Sequence, residues 1–312
     1  MRKGINFLFC ILFFILMGCN QSSTIKTNIV CTTSIIADVV SIIAGNKLNV
    51  EGLMGAGVDP HLYKASAKDV RLLSDAAMIF YNGLHLEAKM DEFLIKLKDK
   101  KTVVSISDSI DKKMLIKVDN LLYDPHIWFD LELFSIAVLE IKDQLIKEYP
   151  EFNDYFEKNY KQFMTQLNQL QHTNINLINM LKDNQKVLIT AHDAFSYFGR
   201  AYNFEVIALQ GVSTQSKAGL ADVEKLASLI VEKQVPAIFI ESSVSPRQIR
   251  AVQDAVRAKG WNVEIGGELF SDALGEKGTK EGTYLGMFDF NVQTIVAGLS
   301  VFKKNNLDNV SK

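Results

Sequence analysis

Residues 151–184, EFNDYFEKNYKQFMTQLNQLQHTNINLINMLKDN, hold neither Gly nor Pro, and aromatic or Leu side chains recur at about every third or fourth place. Such a run reads as one long helix. On both sides of it the pattern is different. Before it, NIVCT, LNVEGLM, AMIFYNG and KTVVSIS read as short apolar strands, separated by SIIADVVSIIAG (closed by Gly45), AKDVRLLSDA and HLEAKMDEFLIKLK as helices. After it, KVLITA, FEVIALQG, PAIFIES and WNVEI alternate with HDAFSYFGRAYN, LADVEKLASLIVEKQ and SPRQIRAVQDAVRAKG. Strands that alternate with helices form parallel sheets covered by helices. The halves also resemble each other, since each places Asp-Val in a helix that leads into an apolar strand with a polar end. The expected fold is therefore α/β: two related lobes with mainly parallel sheets and flanking helices, joined by one long rigid helix. In such folds ligands bind beyond the carboxyl ends of the strands, and between lobes where there are two. The expected boundaries are 27–149 for the N-terminal lobe, 150–184 for the linking helix and 185–312 for the C-terminal lobe.

The N-terminus reads as a targeting segment. MRKG is a short positive stretch, INFLFCILFFILM is an apolar run too short to span a bilayer comfortably, and LMGC ends at Cys19. This is the pattern of a bacterial lipoprotein signal over 1–18, with Cys19 lipidated and 19–26 a polar tether. A plain secretory signal or an N-terminal membrane helix would leave Cys19 incidental. Two acyl chains give the stable membrane hold that one cannot. The expected location is extracytoplasmic, lipid-anchored to the bacterial membrane, in the periplasm or at the cell surface. Cys10 leaves with the signal, so only Cys31 remains in the folded body, as a core thiol with no disulfide partner. A net charge of -2 with 22% charged residues offers no basic excess for nucleic acid and no acidic tail.

Asp-Pro-His occurs twice, at 59–61 and 124–126, in a chain with only five His and five Pro. Each copy is either an ordinary turn or part of a site. His61 follows the second strand, His126 the fourth, His192 comes directly after KVLITA, and Asp272 follows WNVEI. Four strand-to-helix crossings thus bring one metal-ligand type each to the same sheet edge. Three imidazoles and one carboxylate suit Zn²⁺ and tolerate Mn²⁺. With every place taken by protein, no position stays open for catalysis, so the set describes a carrier and not an enzyme. The bland alternative is that each His is a hydrogen-bonded structural residue, because spacings this long form no local signature. HExxH, CxxC, GxSxG and a Gly-rich phosphate loop are all absent from the sequence.

LMGC, GVDPHLYKASAKDV, NGLHLE, DPHIWFD, ITAHDAFSYFGRAYN and LFSDALGEKGTKEGTYLGM, in this order, resemble the metal-binding solute-binding lipoproteins of bacterial zinc and manganese ABC transporters, in their TroA-like branch. The resemblance covers essentially the whole mature chain. It implies a ligand set of His61, His126, His192 and Asp272, holding one divalent metal ion, Zn²⁺ or Mn²⁺, as transported cargo. His in the third place leans toward zinc, whereas the His-rich loop frequent in zinc members is absent before His126. The implied partners are an ABC transporter permease with its cytoplasmic ATPase and the membrane through the lipid anchor, with no nucleic acid and a monomeric chain. A rival reading keeps the scaffold as a surface adhesin or interaction lipoprotein with a structural metal; an exported metallohydrolase is disfavoured by the filled ligand set.

Around these four, Glu241 at the end of PAIFIES is the expected support behind a ligand, with Arg200 as its partner. Asp124 and Asp193 are placed to orient an imidazole through its second nitrogen, or to point away. His85 is expected to cap the following helix or face solvent, and His172 to be solvated. The long helix implies small lobe rotations on metal release rather than a wide clamshell motion. Because ligation needs neutral imidazoles, affinity is expected to fall as pH drops below about 6.

Overall fold

The computed structural model describes residues 28–118 and 122–300. The expected signal 1–18, the tether 19–26 and Cys19 lie outside the described residues. β1 (Asn28–Cys31) opens the N-terminal lobe, pairing in parallel with β2 (Asn49–Gly52) on one side and β3 (Met78–Tyr81) on the other; β4 (Thr102–Ser105) adds to β3. The order is β2-β1-β3-β4. Helices α1 (Ser34–Ala44), α2 (Ala67–Asp75), α3 (Asp91–Lys98) and α4 (Leu131–Glu148) pack around it. Thr33 caps α1 by accepting the amide of Ile36, and Gly45 ends it at φ 54°. A side chain at Gly45 would also collide with the Tyr155 ring. The turn therefore needs glycine for conformation and for room.

α5 (Asn153–Ile178) is the long helix, 26 residues or about 39 Å. Beyond it β5 (Val187–Thr190), α6 (Ser196–Tyr202), β6 (Glu205–Ala208), α7 (Leu220–Lys233), β7 (Ala237–Glu241), α8 (Arg247–Ala258), β8 (Glu264–Leu269) and α9 (Tyr284–Ser300) follow. β5 pairs with β6 and β7 with β8, both in parallel, and β5 lies beside β7. The C-terminal strands form two two-stranded sheets, β6-β5 and β7-β8, set side by side in the order that the first lobe's single sheet follows. One apolar core joins the lobes: Val39 of α1, Phe134 of α4, Phe163 of α5, Phe198 of α6, Phe239 of β7 and Ile295 of α9 belong to a single buried cluster.

Several elements differ from expectation. The long helix runs over 153–178 of the expected 150–184, flanked by short 3-10 turns at 150–152 and 183–185, and the helix expected from His192 begins only at Ser196. The helix expected from His85 begins only at Asp91, because Leu84 and His85 sit at φ 54° and 63°, where a right-handed helix cannot run. The last strand lies later than WNVEI, at 264–269. There the ladder shifts register opposite Ile238 and Phe239, and Gly266 leaves space that a methyl group would share with the Phe239 ring. α9 was not anticipated at all. It is buried on most sides, from Met287 and Phe288 to Val292, Ile295 and Leu299, so it carries no polar stripe to betray a helical period.

Candidate metal centre

Both DPH segments are turns of one design. Asp59 Oδ1 accepts the amide of His61 at 2.9 Å, and Asp124 Oδ1 accepts the amide of His126 at 2.9 Å. Each carboxylate thereby closes a loop around its proline and turns the following His inward. Each Asp-Pro-His segment is thus an ordinary turn that also directs its imidazole into the cleft. In the second copy Asp124 Oδ1 also lies 2.7 Å from His126 Nδ1, which leaves Nε2 facing the cleft.

His192 leaves the end of β5, and Glu241 leaves the end of the neighbouring β7. Glu241 Oε1 accepts the amides of Ala191 at 2.8 Å and His192 at 3.0 Å. Its Oε2 stands 2.6 Å from His192 Nδ1, close enough for a charged pair though out of line for a hydrogen bond. Asp272 follows β8, and Ser243 donates to its Oδ2 at 3.3 Å. Trp128 closes the interior side. Its indole N–H donates to Ser271 O at 2.9 Å across the cleft, its carbonyl accepts the Tyr284 hydroxyl at 2.7 Å, and its ring stands edge-on 5.2 Å from that of His126.

The four side chains converge, each at most 1% exposed. One nitrogen or oxygen from each lies within 4.8 Å of all the others. His61 Nε2 is 3.4 Å from His126 Nε2, which is 3.3 Å from Asp272 Oδ1; His192 Nε2 is 3.2 Å from Asp272 Oδ2. The edge of a tetrahedron with bonds of about 2.0–2.1 Å is about 3.3–3.4 Å, close to these three contacts, and the whole group, within 4.8 Å, is small enough to surround one ion.

Charge is unevenly placed. Burial works against a cation at His126, yet Asp124 and Asp272 outweigh it and push the imidazole up to about 9. His192 is opposed by burial in the same way, and Glu241 with Asp272 carries it well above 6.5. At His61 burial outweighs the pull of Asp272 and, with the neighbouring His126 and His192, pushes it down to about 3. Burial would raise Asp272, but His192 and His126 hold it well below the usual carboxylate range.

Other expected residues fall elsewhere. Arg200 does not reach Glu241; its guanidinium pairs with Asp130 at 2.9 Å, donates to the Met114 carbonyl and lies over the Tyr197 ring. It sits four residues into α6 on the outer face, while Glu241 is enclosed behind His192. Asp193 accepts the Ser196 hydroxyl at 2.7 Å rather than an imidazole. His85, its side chain 66% exposed, pairs with Asp91 at 2.7 Å outside the cleft. His172 is exposed on α5.

Glu87 escaped sequence reasoning, although NGLHLE carries it; the visible titratable group there was His85. Fully buried, Glu87 accepts from Thr32 Oγ1 and Asn82 N, both at 2.7 Å, and from Gly83 N at 3.2 Å. Burial raises its carboxyl to about 7 against the pull of those donors. The Asn82 side chain in turn donates to Pro125 O at 3.0 Å, directly before His126. Glu87→Ala strands three buried donors, and is expected to destabilise the fold by about 3 kcal/mol in urea titrations. A loss under about 1 kcal/mol would remove Glu87 from the support of that loop.

Comparison with known proteins follows the same lines. Residues 29–298 match the family described as ZnuA, "Zinc-uptake complex component A periplasmic". The chain is 45% identical over 305 residues to the manganese-binding lipoprotein MntA of Bacillus subtilis, covering 96% of this chain and 100% of that one. It is 46% identical over 275 residues to the zinc-binding protein TroA of Treponema pallidum, covering 88% and 89%. The solved structure of the periplasmic zinc-binding protein TroA from Treponema pallidum superimposes with a TM-score of 0.87 at 47% identity, over 88% of this chain and 99% of that one. With its two parallel-stranded lobes and the His and Asp residues gathered between them, this chain belongs to the zinc-uptake complex component A family.

Proposed function

We propose that this protein captures one divalent metal ion, Zn²⁺ or Mn²⁺, between its lobes through His61, His126, His192 and Asp272, and delivers it to the permease of an ABC importer driven by a cytoplasmic ATPase. The observation that carries the reading is the meeting of four buried ligand atoms from four separate strand ends within 4.8 Å. Buried polar groups brought together from such distances in sequence cost stability unless something they bind returns it. Three imidazole nitrogens favour zinc over manganese by softness. The relatives support both ions, since one is called manganese-binding and another zinc-binding. Cys19, outside the described residues, would carry the lipid that keeps a monomeric chain beside its permease, outside the cytoplasm. No feature of the fold favours an adhesin, and four protein ligands argue against catalysis at the ion.

The test is a thermal melt of the full chain in detergent, stripped by chelator, with Zn²⁺ or Mn²⁺ added. At about a hundred times the dissociation constant the ion should add about 2.7 kcal/mol to the folded state, and chelator should reverse the gain without unfolding the protein. If neither ion raises the melting temperature, the capture reading fails. If chelator unfolds the chain at ambient temperature, the metal is structural and not cargo.

A further inference from the structure

The two DPH turns share a design, but their carboxylates reach in different directions. Asp124 holds its own imidazole. Asp59 keeps Oδ1 on the His61 amide and extends Oδ2 across the cleft, where it accepts the Thr214 hydroxyl at 2.6 Å. Thr214 belongs to the other lobe, on the strap 209–219 between β6 and α7, and is itself buried. One residue further on, Gln215 Nε2 donates to the carbonyl of His61 at 3.3 Å. The near end of the strap is fixed beside His192: Gln210 N donates to Ala191 O at 2.9 Å, and Asp193 N donates to Gly211 O at 3.3 Å. One segment thus ties the loop of His192 to the loop of His61.

His126 and His192 each have a carboxylate within 2.7 Å of Nδ1; among the described residues no carboxylate is paired with a ring nitrogen of His61. Its Nε2 is therefore placed by its backbone, and that backbone is held from the far lobe. We propose that Thr214 and Gln215 are positioning residues for His61, and that the strap sets the rate at which the metal ion leaves. The inference rests on the four-residue centre proposed above. A ligand loop held across the cleft can let go without either lobe unfolding. The His126 loop is also touched from the far lobe, by Tyr197 at Asp124 O and by Ser271 at Trp128, but its imidazole is gripped by Asp124 of its own loop, and His192 is backed by Glu241 of its own lobe.

The experiment uses the full chain in detergent, loaded with Zn²⁺ and mixed rapidly with a chromophoric chelator. Thr214→Val keeps the shape and removes the hydroxyl, and should speed release about tenfold to a hundredfold, as expected for a lost hydrogen bond to a charged acceptor. Association should stay within about twofold, because the strap acts after the ion has entered. Thr214→Ser should restore slow release. Gln215→Ala, at an exposed side chain, should speed release a few-fold. This variant decides the matter should Thr214→Val fail to fold. Unchanged release in Gln215→Ala and in a folded Thr214→Val, with His126→Ala unable to bind Zn²⁺, overturns the strap and leaves the centre intact. Absence of saturable Zn²⁺ binding in the unaltered protein overturns the centre and the strap together.

Discussion

Asp272→Asn is expected to weaken Zn²⁺ binding by about a thousandfold or more while leaving the metal-free protein folded. Asp272 is the single carboxylate of the centre, and its two oxygens stand 3.3 Å from His126 and 3.2 Å from His192. Removing a unit charge next to a divalent ion costs many kcal/mol in Coulomb energy even at an effective dielectric of about 20. Water returns most of it; a net loss of about 4 kcal/mol corresponds to the thousandfold. Folding is spared because the two imidazoles can release their protons once the anion is gone, and an amide oxygen can still accept from Ser243. Glu241→Gln provides the scale. It touches His192 from behind rather than the ion, and outer carboxylates of this kind cost about tenfold to a hundredfold. Competition against a chelator of known affinity, with circular dichroism for folding, measures both. A loss below tenfold for Asp272→Asn would take Asp272 out of the ligand set.

Zinc affinity should also fall steeply on acidification, beginning well above the ordinary imidazole range. In the metal-free protein His126, raised to about 9, and His192, raised well above the ordinary imidazole value, both carry protons at neutral pH. His61, lowered to about 3, carries none. Ligation requires neutral nitrogens, so each ion displaces about two protons, and affinity should change by nearly a hundredfold per pH unit between about 6 and 8. Calorimetry in buffers of different ionisation enthalpy counts those protons directly. A flat affinity from pH 7 to 8 would contradict the assignment. The same groups give the metal-free fold a matching pH dependence. Their charged form is stabilised by folding, so this contribution is complete below the unfolded imidazole value of about 6.5 and is lost as pH rises through about 9. The expectation of a decline only below about 6 used the free imidazole value, and the carboxylates at Asp124, Glu241 and Asp272 move it upward.

Those carboxylates mark what was and was not legible in the sequence. The alternation of strands and helices, the long α5 and the loops bearing His61, His126, His192 and Asp272 could all be read, because period and strand ends are local properties. Glu241 could be named as well, since it ends a strand. Its supposed partner could not be checked that way: Arg200 lies one strand-end away in sequence logic but on the outer face of α6 in space. Thr32, Asn82 and Glu87 act together only after β1, β3 and the segment behind β3 have folded side by side. α9 stayed invisible for the opposite reason, being apolar nearly all round. Equally hidden was the difference between the two DPH turns, because the same three letters send one carboxylate back to its own ring and the other to Thr214.

Trp128 bears on how the protein can be watched. It is one of two tryptophans in the chain, and the other, Trp261, lies between α8 and β8 with its indole N–H on Val235 O. Trp128 stands 5.2 Å from His126, while its polar atoms join Ser271 and Tyr284. Its emission is therefore expected to respond both to the charge on His126 and to the seam between the lobes, which would give the unlabelled protein its own optical gauge of metal binding.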